Sequence, residues 1–193
     1  MAKAARHGAG RNQLRIIGGS WRSRRLDFPD VEGLRPTPDR VRETLFNWLM
    51  PIIHGARCLD LFSGSGALGL EALSRGAASA VLLDRDPRVT ATLRAHLQTL
   101  KAEGAVVVQQ SALDYLQGEP VPFDVIFLDP PFRQGLLQPV LELLSTRGWL
   151  APGARIYIEQ ESEQPMVALP EGWALLRELK AGQVACRLVQ APE

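Results

Sequence analysis

Short apolar runs alternate with longer amphipathic segments from residue 56 almost to the end of the chain. The short runs predict buried strands, and segments whose apolar residues recur every three or four positions predict helices. Because parallel strands need a crossover between them, the alternation predicts a parallel sheet with helices on both faces. We expect strands at 57–62, 80–83, 106–109, 125–128 and 155–158, and helices at 66–75, 87–102, 111–117 and 135–147.

Both ends of the chain predict smaller β-structures. Segments 173–179 and 184–189 flank Gly182, which favours an antiparallel hairpin added to the sheet and brings the total to seven strands. Near the N-terminus, segments 14–17 and 24–28 flank a Gly-Gly-Ser turn and predict a second, small hairpin. A helix should follow, with Thr37 as its cap and Pro38 in its first position.

The charge of the chain is unevenly distributed. Residues 1–42 hold ten Lys and Arg against four Asp and Glu, a net charge of +6, whereas the remainder carries −5. A basic segment on a slightly acidic body indicates a polyanionic partner that binds from one side. We therefore divide the chain into a disordered basic tail (1–12), an N-terminal extension (13–55) and a main domain (56–193).

Several classes of protein are not expected from the composition. No apolar run approaches the roughly 20 residues of a membrane span, and the basic N-terminus lacks the apolar stretch of a secretory signal. The two cysteines, Cys58 and Cys186, match no metal-ligand spacing, so we expect no metal site. A cytoplasmic protein that binds neither a membrane nor a metal fits these observations.

Asp129, Pro130, Pro131 and Phe132 form the most informative motif, here called the DPPF motif. They follow the apolar run 123–128, and the prolines end that strand because proline lacks a ladder donor. In open α/β sheets, ligands bind at the carboxyl ends of the strands. A carboxylate, a rigid bend and an aromatic ring at that place suit a flat ring that carries an amine.

A glycine-rich turn joins the first sheet strand to a helix within residues 60–69. Asp84 lies 20 residues after Gly64, where a carboxylate can hold a ribose diol. The glycine spacing also matches a nicotinamide dinucleotide site. S-adenosylmethionine is favoured because Asp60 could hold a methionine ammonium but would be poorly placed beside a pyrophosphate. The alternative role for Asp60 is to accept hydrogen bonds from the turn's own amides.

The third strand ends at Ser111 and Ala112, which border the expected adenine position. Ser111 could accept from the adenine amine or simply cap the next helix, and the two roles are compatible. The candidate cofactor contacts are Thr37, Asp60, Phe62, Ser63, Gly64, Ser65, Gly66, Asp84, Arg85, Ser111 and Ala112.

These motifs, together with the run from Arg35 to Asn47, resemble the bacterial 16S ribosomal RNA guanine-N2 methyltransferases of the RsmD type. The resemblance covers about residues 14–190 and implies a Rossmann-like, class I S-adenosylmethionine-dependent fold. It also implies methyl transfer to the exocyclic N2 of one guanine in the RNA of the small ribosomal subunit. We expect a monomer, and because the domain is small we expect ribosomal proteins to add specificity. The extension 13–55 would then bind RNA and cover the cofactor.

The resemblance assigns a role to each residue of the motif. Asp129 and the Pro130 carbonyl would accept hydrogen bonds from the guanine amine, and Phe132 would stack on the base. The alternative for Phe132 is a core position under the following helix. The expected RNA contacts are Arg22, Arg24, Arg25, Arg35, Arg40, Arg42 and Arg133. The alternative for Arg35, as for Thr37, is that it faces the cofactor instead.

Three other functions remain open at this point. A DNA adenine-N6 methyltransferase shares the DPPF type of motif, but the chain has no additional domain for reading a DNA sequence. A nicotinamide-dependent oxidoreductase is favoured only by the glycine spacing. A non-enzymatic RNA-binding module would explain the basic extension but would give the DPPF motif no task.

Overall fold

The computed structural model describes residues 12–193, so the predicted basic tail lies outside the described residues except for Asn12. The elements alternate as the sequence predicts. In chain order they are β1 (Gln13–Arg15), a 3₁₀ turn (Gly19–Trp21), β2 (Arg25–Asp27), α1 (Asp39–Leu49), β3 (Arg57–Asp60), α2 (Ala67–Ser74), β4 (Ser79–Asp84), α3 (Pro87–Leu100), β5 (Ala105–Gln109), α4 (Ala112–Leu116), β6 (Phe123–Leu128), α5 (Leu137–Thr146), β7 (Leu150–Glu161), β8 (Ala174–Ala181) and β9 (Val184–Gln190).

Seven strands form one sheet in the order β5-β4-β3-β6-β7-β9-β8. Strands β3 to β7 pair in parallel, whereas β9 pairs antiparallel with both β7 and β8, which confirms the predicted C-terminal hairpin. The strand order reverses between β3 and β6, and ligands bind at such a reversal in open α/β sheets. Within residues 12–193, no helix is long and apolar enough to cross a membrane.

Strand β7 is longer than the predicted segment 155–158. It continues through Glu159 and Gln160 to Glu161 because these residues pair with β9 across its whole length. Because the side chains at this end of the strand are polar, a pattern of apolar runs does not predict that the strand continues.

Helix α1 begins one residue later than the capping pattern predicts. Pro38 precedes the first helical residue, and no side chain caps the helix. Thr37 is instead buried, and its hydroxyl donates to the Glu159 carboxylate at 3.2 Å, so the predicted capping role is wrong. The apolar face of the helix is buried, and Phe46 packs against Phe127 of β6 with ring centroids 5.9 Å apart.

A buried carboxylate, Glu71 in α2, holds the N-terminal hairpin against the main domain. It accepts hydrogen bonds from the backbone amides of Ile17 (3.0 Å) and Gly18 (2.8 Å). It also pairs with Arg42 of α1 (3.3 Å) and Arg75 of α2 (2.9 Å). One side chain therefore links the hairpin, helix α1 and the helix that follows the glycine-rich turn.

The hairpin turn lies directly on the end of α2. Ser74 donates from its hydroxyl to the Gly18 carbonyl at 2.6 Å and accepts from the Trp21 amide at 3.0 Å. Gly19 has φ +77°, and a β-carbon there would lie 1.9 Å from the Ser74 carbonyl oxygen. Only glycine fits this approach, which explains the Gly-Gly pair in the sequence.

Arg42 is a structural residue, so its predicted RNA contact is wrong. Its side chain is only 1% exposed, and it donates to the carbonyl oxygens of Thr37 and Arg15 as well as to the Asp39 carboxylate. Burial lowers the pKa of Arg42, while the nearby carboxylates of Glu71 and Asp39 oppose that change. A guanidinium with these partners is not available to a phosphate.

We expect Glu71→Ala to lower the free energy of unfolding by about 3 kcal/mol or more, because Arg42 would stay buried after losing a carboxylate partner. Urea denaturation followed by circular dichroism measures the change. Arg15→Ala is the control, since Arg15 forms a half-exposed ion pair with Asp39 and should cost less than about 1 kcal/mol. Equal losses in the two variants would contradict the anchoring role of Glu71.

Candidate active site at the carboxyl ends of β3 and β6

The DPPF motif begins where β6 ends, at the strand reversal. Asp129 follows the last strand residue, Leu128, and is mostly enclosed, while Pro130 is buried. The prolines therefore end the strand as the sequence predicts. This position directs the carboxylate toward the same edge of the sheet as the end of β3.

Three carboxylates cross the sheet at this edge: Asp60 of β3, Asp129 after β6 and Glu159 of β7. We call them the acid row. Side chains alternate along a strand, and in the register of β6 with β7, Leu128 pairs with Ile158, so Asp129 and Glu159 are the next neighbours. Among the described residues, no group of His, Cys, Asp and Glu is arranged to hold a metal ion.

The environment of the acid row favours protonation of its members. Burial is the main cause that raises the pKa of Asp129 well above its usual range, and the carboxylates of Glu159 and Asp60 add to the effect. Burial likewise raises the pKa of Glu159. Carboxylates this close together, away from water, carry their full negative charge only with a cation or several donors nearby.

Asp60 has one satisfied and one unsatisfied oxygen. Its Oδ2 accepts from the Gly69 amide at 3.0 Å, as expected for a residue that caps the turn. Its Oδ1 is buried and has no hydrogen-bond partner in the described part of the chain. Burial raises the pKa of Asp60 to about 7, although the Gly69 amide opposes the change. An unpaired buried carboxylate oxygen is destabilising, so the site favours a ligand that donates there.

The glycine-rich turn brings its backbone close to the surface of the sheet edge. Gly64 and Gly66 adopt φ values of +50° and +83°. A β-carbon at Gly66 would lie 2.7 Å from the Leu93 side chain and 2.8 Å from that of Leu70, so a larger residue would force these side chains to move. Ser63 and Ser65 are buried within the turn. Phe62 is partly exposed beside it.

Asp84 connects the end of β4 to the glycine-rich turn. Its Oδ2 accepts from the Gly64 amide at 3.1 Å, and its Oδ1 accepts from the Asp86 amide at 2.9 Å. The carboxylate is thus fixed in place, and its remaining lone pairs leave room for a diol. Arg85 is exposed next to it. The ribose contact of Asp84 stays a prediction.

Ser111 caps helix α4, as one of its two expected roles requires. Its hydroxyl accepts from the Asp114 amide at 3.1 Å and donates to the Asp114 carboxylate at 2.7 Å. The hydroxyl proton is therefore in use, but the oxygen can still accept a further hydrogen bond. Ala112 is the buried first residue of the helix, and its adenine contact stays a prediction.

Phe132 is not a core residue, because 44% of its surface is exposed. It lines a cavity of about 430 Å³ with Pro130, Pro131 and Glu159. Arg133 stands at the same cavity with φ +61° and forms a 3.6 Å ion pair with Glu161. The cavity is large enough for a flat base beside the DPPF motif.

The other predicted RNA contacts are on the surface. All six of these predicted arginines are exposed. Five of them belong to the hairpin, the connector after it and the first turn of α1. These six are Arg22, Arg24, Arg25, Arg35, Arg40 and Arg133. Their contacts with RNA stay predictions.

The sequence analysis missed Glu159 and Tyr157. Tyr157 is fully buried in β7, and its hydroxyl donates to Glu159 Oε2 at 2.9 Å. A signal existed, since Glu159 is a charged residue that directly follows an apolar run, as Asp129 does. The parallel between the two strand ends could have placed both carboxylates at one edge of the sheet.

Comparisons with known proteins agree with this architecture. The family model described as Conserved hypothetical protein 95 matches residues 14–190. The chain is 55% identical over 182 residues to Ribosomal RNA small subunit methyltransferase D of Escherichia coli (strain K12), covering 94% of this chain and 92% of that protein.

Solved structures give the same result. The structure described as putative methyltransferase yhhF from Escherichia coli is 52% identical, with a TM-score of 0.89 and coverage of 94% of this chain and 99% of that one. A putative SAM-dependent methyltransferase from Streptococcus mutans is 18% identical and shares the fold, with a TM-score of 0.68 and coverage of 93% and 55%. The chain therefore belongs to the bacterial family of the ribosomal RNA small subunit methyltransferases D.

Proposed function

We propose that the protein transfers a methyl group from S-adenosylmethionine to the exocyclic N2 of one guanine in 16S ribosomal RNA. The observation that carries this proposal is the position of Asp129 at the strand reversal, next in the chain to Pro130, which lines the same cavity as the exposed Phe132. The names of the relatives support ribosomal RNA as the substrate. The DPPF motif supports an amine on a flat ring as the reacting group.

The residues of the motif would make the amine reactive. The lone pair of an exocyclic amine is delocalised into the ring, so the nitrogen is a poor nucleophile. Asp129 and the Pro130 carbonyl can accept its two N–H bonds and favour a pyramidal nitrogen with an exposed lone pair. Stacking on Phe132 would fix the ring and contributes roughly 1–3 kcal/mol per base. Positioning of this kind supplies most of the rate enhancement.

The cofactor site fits S-adenosylmethionine. The unpaired Oδ1 of Asp60 suits the ammonium of the methionine part. We propose that Asp84, which also holds the Gly64 amide, binds the ribose, and that Ser111 and Ala112 contact the adenine. When bound, this cofactor supplies a methyl group on an activated sulfonium. An unpaired carboxylate oxygen beside the turn disfavours a dinucleotide pyrophosphate.

The N-terminal extension would bind the RNA. Its exposed arginines lie on the hairpin and connector, which Glu71 fixes to the helix after the cofactor turn. RNA held there would reach the carboxyl edge of the sheet. We further propose that the protein acts as a cytoplasmic monomer on an assembled or assembling small subunit, with ribosomal proteins adding specificity.

Methyl transfer with a labelled cofactor tests the proposed function directly. The protein is incubated with S-adenosylmethionine labelled on the methyl group and with small ribosomal subunits, naked 16S RNA or DNA. Digestion to nucleosides and mass spectrometry then identify the modified base. We expect N2-methylguanine from the ribosomal substrates and none from DNA. Label on adenine, or on DNA alone, would contradict the proposal.

Asp129→Ala should reduce the methylation rate by at least about 100-fold, because the amine loses a charged acceptor that aligns it. Cofactor affinity, measured by calorimetry, should change less than about threefold. Asp124→Ala is the matched control at the other end of β6, where Asp124 forms an exposed ion pair with Arg57. A variant at Asp129 that binds the cofactor poorly but turns over normally would disprove this role.

Asp60→Asn should weaken S-adenosylmethionine binding by roughly 10-fold or more, because a hydrogen bond to a charged group is lost. Binding by the unaltered protein should strengthen as the pH rises through about 7, because Asp60 is neutral below its raised pKa and negative above it. Calorimetry between pH 6 and 7.5 measures both effects. If Asp60→Asn keeps the same pH dependence, another group is responsible for it.

Replacing Arg22, Arg24 and Arg25 together by alanine should weaken RNA binding and flatten its dependence on salt. Each lost phosphate contact removes roughly 0.7 from the slope of log affinity against log salt concentration for a single strand. The matched control removes three exposed arginines from α3 and β8, namely Arg88, Arg94 and Arg177. An unchanged slope in the first variant, or equal changes in both, would argue against a hairpin interface.

A further inference from the structure

We propose, on the basis of the function above, that Glu159 is a positioning residue for Asp129 and that the Thr37 hydroxyl couples both carboxylates to the N-terminal extension. Nothing in the motif itself requires a second acid or a threonine. The inference therefore adds two residues to the site and gives the extension a role beyond holding RNA.

The geometry of β6 and β7 places Glu159 beside the catalytic carboxylate. Leu128 and Ile158 are paired in the parallel register, so Asp129 and Glu159 follow at the same level of the sheet. Glu159 is only 5% exposed and cannot turn toward solvent. Tyr157, two residues earlier on the same face, fixes it by donating to Oε2 at 2.9 Å.

Thr37 contacts Glu159, the neighbour of Asp129 in the acid row. Its hydroxyl donates to Glu159 Oε2 at 3.2 Å, and the same hydroxyl opposes the rise in the pKa of Asp129. Thr37 is 3% exposed, so water does not compete for this position. A hydroxyl has one proton, and it can stabilise the charged form of only one carboxylate at a time. The state of Asp129 therefore depends on both neighbours.

The backbone of Thr37 is fixed in turn by the anchor of the N-terminal hairpin. The Arg42 guanidinium donates to the Thr37 carbonyl at 3.0 Å and pairs with Glu71, which also holds the hairpin amides. The exposed Arg35 and Arg40 flank this position along the chain. RNA bound to those arginines would influence Thr37 and, through it, Asp129. Asp129 is the carboxylate proposed to accept a hydrogen bond from the target amine.

Titratable groups on β3, β7 and β9 also face Asp129, and none of them is altered in the variants below other than Glu159 itself. Asp60 faces it from β3, and Tyr157 faces it from β7 beside Glu159. Cys186 faces Asp129 from β9, and the positive charge of Arg187 opposes the rise in the pKa of the Cys186 thiol. Burial raises the pKa of Tyr157, and it raises the pKa of Cys186 to about 12, so neither ionises near neutral pH.

The test follows the titration of the Asp129 carboxyl by carbon-13 NMR in the full-length protein. Glu159→Gln removes the carboxylate whose negative charge raises the pKa of Asp129, so that pKa should fall. Thr37→Val removes a donor to the charged form and keeps the side-chain shape, so the pKa should rise. Thr37→Ser restores the donor and should return the value to that of the unaltered protein.

The same variants are then assayed for methyl transfer at saturating cofactor. The acid limb of the kcat profile should move to lower pH in Glu159→Gln and to higher pH in Thr37→Val, with cofactor affinity changed less than about threefold. Opposite shifts are diagnostic, because a merely structural role would lower kcat in both variants and leave the limb in place.

Each result bears on one claim. If the NMR titration of Asp129 is the same in all variants, the inference is wrong, whatever the protein methylates. If the titration shifts as expected but the unaltered protein methylates no guanine, the coupling of the three residues stands and the proposed function fails. Shifts of the same sign in Glu159→Gln and Thr37→Val would also overturn the inference.

Discussion

The Glu71 carboxylate is the contact on which the arrangement of the N-terminal half depends. It is fully buried in a helix whose eight residues are all buried, and four donors from three parts of the chain converge on it. A buried charge of this kind is tolerated only when all of its partners are in place. The hairpin, α1 and α2 therefore form one unit, and the surface arginines keep a fixed position relative to the site.

The acid row is the second constraint. Glu71 has all of its donors in place, whereas the acid row has too few donors to balance its charge. Asp60, Asp129 and Glu159 are held together without a cation among their hydrogen-bond partners in residues 12–193, so the empty site favours protons. The ligands that the proposed reaction needs bring an ammonium, a sulfonium and an amine to this edge. The same burial that raises the pKa values in the free protein strengthens attraction to those groups once they bind. Charge complementarity thus favours the methyl donor over its neutral-sulfur product.

The sequence predicts the sheet well, because buried parallel strands appear as apolar runs whatever surrounds them. It also predicts correctly that Asp60, Asp84 and the DPPF motif stand at the ends of strands, since each follows such a run. It fails for Arg42 and Thr37, whose roles are set by Glu71 and Glu159, 29 and 122 residues away. No local pattern distinguishes a buried arginine from an exposed one. The end of β7 is missed for a related reason, because its polar residues are ordered by pairing with a later strand.

Strand β9 follows β8 in the chain yet lies inside the sheet, between β7 and β8. During synthesis, the edge of β7 that pairs with β9 stays open until β9 has left the ribosome. Cys186 of β9 packs beside Tyr157, which orients Glu159, so the acid row lacks part of its support until then. The arrangement of the acid row therefore depends on a strand that is synthesised after all three of its carboxylates.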